Sequence, residues 1–167
     1  RRPIATRVLY MSQWDRLDGQ LRREIEAGRQ AYVVAPLIDD SEKLELESAS
    51  TAYERLVAEY PQFTIGLLHG RLSAEDKERI MRAFQDGVYD ILVATSVIEV
   101  GVDVPNATLM IVLHAERFGL SQLHQFRGRI GRGVHPSSCF LLCDKLGETA
   151  RERLSILEQS DDGFLIA

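Results

Sequence analysis

The sequence predicts an α/β fold: a mainly parallel sheet with helices on both faces. Three observations point there. Near-continuous apolar runs at 31–35, 91–94 and 108–113 read as strands buried on both faces, not as alternating surface strands. Segments with apolar residues at helical spacing lie between them. Turn residues, among them Gly28, Pro36 and Gly87, fall at the joins. Sheets of this kind are covered by crossover helices and gather ligands at the carboxyl ends of their strands.

The elements follow in order. Thr6–Tyr10 reads as a first strand. Trp14, Leu17, Leu21 and Ile25 recur at helical spacing, and Gly28 suits the stop. Ala31–Ala35 is a strand ended by Pro36. Ala49, Ala52, Tyr53, Leu56, Val57 and Tyr60 mark a second helix, and Phe63–Leu68 a strand. Ser73 with Asp76 resembles a capping box. Ile80, Met81 and Phe84 give that helix its apolar face, and Gly87 ends it. Strands at 91–94 and 108–113 follow, then a helix around 120–127, a strand at 138–143 and a last helix from about 148.

The chain has 167 residues, 45% apolar and 27% charged, which suits one globular domain. No apolar run approaches the ~18 residues of a membrane span, so no membrane partner is expected. Arg1-Arg2-Pro3-Ile4 lacks both an initiator Met and a following apolar leader, and the chain ends on an apolar stretch. Both ends read as cut from something longer. Cys139 and Cys143 fall in one strand-like run. There they share a face, too far apart to bridge. They read as small buried apolar residues, not as a metal or redox pair, and no metal site is expected. Reduced thiols suit the cytoplasm.

The net charge of −5 argues against a domain that coats nucleic acid by bulk charge. Yet only three of the 20 basic residues are Lys, and the stretch 117–143 holds Arg117, Arg127, Arg129 and Arg132 with no acid. A basic island in an acidic chain suggests one anion site.

Three segments at strand ends carry chemistry. His69-Gly70-Arg71-Leu72-Ser73 joins a strand to a capped helix, whose unpaired N–H groups can hold a phosphate. Taken alone, a tight turn with an exposed Arg is the better account of it. In the segment 93–105, the hydroxyls of Thr95 and Ser96 can donate to phosphate oxygens, and Asp103 beside Gly101 can accept from a ribose hydroxyl. Taken singly, helix capping explains the hydroxyls and a turn explains the Asp. The third segment, 122–133, contains Gln125-Phe126-Arg127-Gly128-Arg129-Ile130-Gly131-Arg132. Arg129 and Arg132, one helical turn apart, can aim at one point, and guanidinium forks match phosphate oxygens. A solvated basic face is the alternative, but Gly128 and Gly131 are residues that a plain surface helix avoids.

Together these segments resemble the second RecA-like domain of superfamily 2 nucleic-acid motors. The third is similar to helicase motif VI, Gln-x-x-Gly-Arg-x-Gly-Arg. The second resembles motif V, and His69-Gly70-Arg71 resembles the motif IV region. Arg117-Phe118-Gly119-Leu120 ahead of motif VI narrows the resemblance to two bacterial groups, the RecG helicases and the transcription-repair coupling factors (Mfd). Pro36-Leu37-Ile38 before Asp39-Asp40-Ser41-Glu42, the run 101–107, and the run from Arg153 to Ala167 are closer to RecG.

The RecG resemblance implies an ATP-dependent helicase that remodels branched DNA and stalled replication forks. Residues 1–148 would be its second motor domain and 149–167 the start of a translocation hairpin. Arg132 matches the arginine-finger position; Arg129 and Gln125 would face the γ-phosphate. Gly101 and Asp103 match positions on the nucleotide's ribose side. His69, Gly70, Arg71, Thr95 and Ser96 match positions that hold the DNA backbone. ATP and Mg²⁺ would be bound mainly by a first motor domain, and the implied partners are that domain, a wedge domain of the same polypeptide, and branched DNA. The chain holds no G-x-x-x-x-G-K-[ST] phosphate cradle and no Asp-Glu pair for Mg²⁺. Alone, it is expected neither to hydrolyse ATP nor to unwind DNA. Beside the coupling factor, the remaining alternative is a stand-alone nucleotide-binding module.

Overall fold

The computed structural model describes residues 3–36, 49–95, 103–144 and 147–159. Six strands form one sheet among them: β1 (Ala5–Tyr10), β2 (Gln30–Val34), β3 (Ile65–Leu68), β4 (Ile91–Ala94), β5 (Ala107–Val112) and β6 (Ser138–Cys143). Their order is β1-β6-β5-β2-β4-β3, and every neighbouring pair is parallel. Five helices accompany them: α1 (Asp15–Glu26), α2 (Ala49–Glu59), α3 (Ala74–Gln85), α4 (Leu120–Arg127) and α5 (Glu148–Gln159). The RecA-like α/β architecture read from the sequence is thus present.

Alternation along the strands divides the core into two layers. Ala31, Val33, Ile91, Val93, Ile111 and Phe140 face α1 and α2, whose Leu17, Leu21 and Leu56 are fully buried. Tyr32, Val34, Leu92, Met110 and Leu141 face the opposite way, toward Phe84 of α3, Leu123 of α4, and Leu154 and Leu157 of α5. The central strands are buried along their whole length because both faces are covered.

Three local expectations need correction. Val57 lies 41% exposed on α2. Ala49, Ala52 and Leu56 line the buried stripe, and one residue further round the helix is about 100° away. β3 begins at Ile65, because Phe63 stacks on Tyr60 at 5.4 Å, and Thr64 exchanges hydrogen bonds with Asp90. Ser73 caps α3 by accepting from the Asp76 N–H at 3.1 Å, but the Asp76 carboxylate pairs with Arg79. Only half of the expected capping box forms.

Cys139 and Cys143 are buried, unbridged and on one face of β6, as read. Burial pushes both thiols up to about 12. At pH 8 both are therefore protonated and poor nucleophiles. The native chain should resist a thiol reagent at that pH and react with it in urea; fast labelling of the folded chain would contradict this placement. Among the described residues no helix is long and apolar enough to cross a membrane.

Candidate functional site at the two edges of the sheet

The basic island does not form one site. Arg117 ends a 3₁₀ turn (Ala115–Arg117) beyond the carboxyl end of β5. From there α4 runs back across the sheet, so the residues after it lie at the amino edge, ahead of β6. Arg127, in the last turn of α4, is 2% exposed and points inward. Its Nη1 donates to Thr6 Oγ1 at 3.1 Å and to the Leu157 carbonyl at 2.7 Å, while Nη2 lies 2.9 Å from His124 Nδ1. Arg127 therefore ties α4 to β1 and α5. Leu123, Phe126, Arg127 and Ile130 are all buried, at the i, i+3, i+4, i+7 spacing of a core stripe. That spacing was the sequence signal for its burial.

Arg129 and Arg132 also differ from expectation. α4 stops at Arg127, with Gly128 as its cap, so the two arginines are not one helical turn apart on a helix. A turn directs them instead. Arg129 N–H donates to the Phe126 carbonyl, Ile130 is fully buried, and Gly131 takes a φ of +78° that disfavours any side chain. Gly133 then passes so close to Pro105 that a Cβ there would sit 2.5 Å from the Pro105 carbonyl oxygen. The glycines thus serve the chain's own close packing. Arg129 is half-buried, Arg132 exposed, and Gln125 exposed in the last turn of α4.

Asp103 joins this group, since Pro105 and Asn106 lead into the amino end of β5. The Arg132 Nε donates to the Gly128 carbonyl at 3.1 Å and lies 3.5 Å from Asp103 Oδ1. Gln85 Nε2 donates to the Asp103 carbonyl at 3.2 Å. Burial raises the Tyr32 hydroxyl to about 12; the Arg129 charge pulls it down and the Asp103 charge pushes it up, so both charges lie near Tyr32. Asn106 fixes the base of this edge by donating to the Gly28 carbonyl at 2.8 Å, and Gln30 bridges to the Phe84 and Tyr89 carbonyls.

The remaining site residues lie at the opposite edge. Gly70 and Arg71 are exposed in the loop after β3. His69 is half-buried, and its Nδ1 accepts from the Arg71 N–H at 3.2 Å, turning the ring back on its own loop. The start of α3 already has Ser73 as its cap and two acids, Glu75 and Asp76, in its first turn. These compete with a phosphate there, leaving Gly70 and Arg71 as the open part of the segment. Thr95, after β4, is 4% exposed, and among the described residues its Oγ1 has no hydrogen-bond partner. Ser96 and Gly101 lie outside the described residues, as do the stretches 37–42 and 160–167 used in the resemblance.

The three segments at strand ends therefore do not share one edge of the sheet. His69, Gly70, Arg71 and Thr95 are at the carboxyl edge. Gln125, Arg129, Arg132 and Asp103 are at the amino edge. The four residues of β4 separate the edges by about 13 Å.

Sequence reasoning missed one cluster. His114, with a φ of +50°, Glu116 and Asp144 close the carboxyl ends of β5 and β6, with ligand-type atoms within 4.8 Å of one another. His114 Nδ1 lies 2.8 Å from Asp144 Oδ2, and the Asp144 N–H donates to Glu116 Oε1. No local pattern links these residues in sequence.

Comparison with known proteins supplies the family. The model of the helicase conserved C-terminal domain matches residues 12–134. An ATP-dependent DNA helicase RecG from Synechocystis is 49% identical over 100% of this chain and 20% of its own length. The RecG of Acidithiobacillus ferridurans is 52% identical over 100% of this chain and 25% of its own. A structure of RecG bound to a three-way DNA junction superposes with a TM-score of 0.86 at 46% identity, covering 100% of this chain and 22% of that one. The chain thus spans between a fifth and a quarter of the length of these relatives. It belongs to the helicase conserved C-terminal domain family and is similar along its whole length to the RecG ATP-dependent DNA helicases.

Proposed function

We propose that this chain is the second motor domain of an ATP-dependent, RecG-type DNA helicase that remodels branched DNA and stalled forks in the bacterial cytoplasm. The observation that carries the reading is the split of the candidate residues between two edges: a guanidinium cluster on one, a phosphate-compatible loop set on the other. The similarity to a RecG held on a three-way junction supplies the kind of DNA.

At the amino edge, Arg129, Arg132 and Gln125 offer donors that fit the γ-phosphate of ATP held by another motor domain. Arg132 acts as the finger that stabilises charge on the transferring phosphoryl group. Asp103 faces the ribose side, and Gly101 is assigned the same role by its match to the family motif. The two guanidinium groups do not fit Mg²⁺, which takes oxygen ligands, and Asp103 is already beside Arg132. The metal and most of the nucleotide therefore belong to residues of the first motor domain.

At the carboxyl edge, Arg71, the Gly70 backbone, His69 and the Thr95 hydroxyl grip DNA phosphates; Ser96, next in sequence, is assigned the same role by its match to the family motif. The Thr95 Oγ1, which has no partner among the described residues, is a donor suited to such an acceptor. Closure of the two motor domains on ATP and their opening after hydrolysis shift this grip along the strand. The hairpin begins at Thr149, within α5, and Arg127 holds that helix against the motor. Ahead of this domain, the first motor domain and a wedge domain read the fork.

The full-length protein should turn over ATP much faster with a three-way junction than with linear duplex. Equal stimulation by linear duplex, together with ATP-driven release of stalled RNA polymerase, would instead identify a transcription-repair coupling factor.

A further inference from the structure

We infer that Asp103 is a positioning residue for Arg132, beyond any contact with the nucleotide's ribose; the inference rests on the finger reading of Arg132. A finger works only if its guanidinium is held where charge develops, and a free arginine spreads over many rotamers. Here Arg132 is held on one side. Its Nε donates to the Gly128 carbonyl at 3.1 Å and lies 3.5 Å from Asp103 Oδ1. Both contacts use Nε, and 43% of the side chain stays exposed, so the two terminal nitrogens remain available to a ligand.

The backbone that carries the carboxylate is located by neighbours. Gln85 holds the Asp103 carbonyl, and the close pass of Gly133 over Pro105 locks the arginine's turn against the segment that carries Asp103. As an isolated surface pair, Arg132 and Asp103 contribute little to stability. Their role is geometric: Asp103 selects one orientation of the fork before the nucleotide arrives.

The test is steady-state ATP turnover by the full-length protein with saturating junction DNA. Arg132→Ala alone should lower kcat by ~10³-fold. Asp103→Asn should lower kcat by about 10-fold, a loss consistent with a misplaced group, whatever rise in KM for ATP the ribose contact adds. Asp103→Glu should recover part of it. In the Arg132→Ala background, Asp103→Asn should lower kcat no further, because that effect runs through the arginine. If Asp103→Asn instead raises KM, leaves kcat alone, and loses its effect with 3′-deoxy-ATP, Asp103 serves only the ribose and the inference is overturned. An equal loss on both backgrounds overturns it too. Unchanged turnover in Arg132→Ala removes the finger reading and this inference with it.

Discussion

Arg132→Ala in the full-length helicase lowers ATP turnover by ~10³-fold or more while nucleotide binding persists. The size follows from the role: an arginine finger in phosphoryl transfer contributes about 10³–10⁵ in rate through charge stabilisation. Arg132 has the placement for it. It is exposed at the amino edge, in a turn that Gly131 and the Gly133–Pro105 contact fix, with its terminal nitrogens turned to no partner among the described residues. Arg132→Lys should rescue little, since an ammonium cannot reproduce the fork. Turnover within a few-fold of wild type, with binding intact, would remove Arg132 from the chemistry. The isolated chain should show no Mg²⁺-dependent turnover at all.

Arg127→Ala, five residues earlier in the same motif, should act on stability instead, lowering the unfolding free energy by about 3 kcal/mol, by analogy with large buried side chains cut to Ala. The substitution empties a fully buried volume and strips donors from Thr6 Oγ1 and the Leu157 carbonyl. Domains are stable by only about 5–15 kcal/mol, so a urea melt should show the loss clearly. Hydrogen exchange should rise across 148–159 first, because α5 loses its tie to α4. Arg127→Met, which refills the volume without the donors, should recover part of the loss. A change below about 0.5 kcal/mol would mean that Arg127 behaves as a surface residue.

The contrast between these two arginines shows what the sequence made legible. Strand and helix positions follow from periodicity, and the apolar runs at 91–94 and 138–143 and the helix at 120–127 match β4, β6 and α4 to the residue. The helicase character of the arginine-rich segment was legible as well, and the matched family domain spans it. Its geometry was not. Arg127 falls on the apolar stripe of α4, a signal the motif's charge concealed. The amino-edge position of Arg129 and Arg132 depends on α4 crossing the sheet, which local spacing does not encode. Asp103 beside Arg132, Pro105 under Gly133, and His114 beside Asp144 are pairings made by topology between residues far apart in sequence.

The most direct test of the central claim, that this domain holds half of a nucleotide site, is binding of a non-hydrolysable ATP analogue to the chain alone and with the first motor domain added. The account predicts weak binding alone that becomes tight with the partner domain. Tight binding by the chain alone, indifferent to the partner, would mean a complete nucleotide site within this domain and would contradict the account.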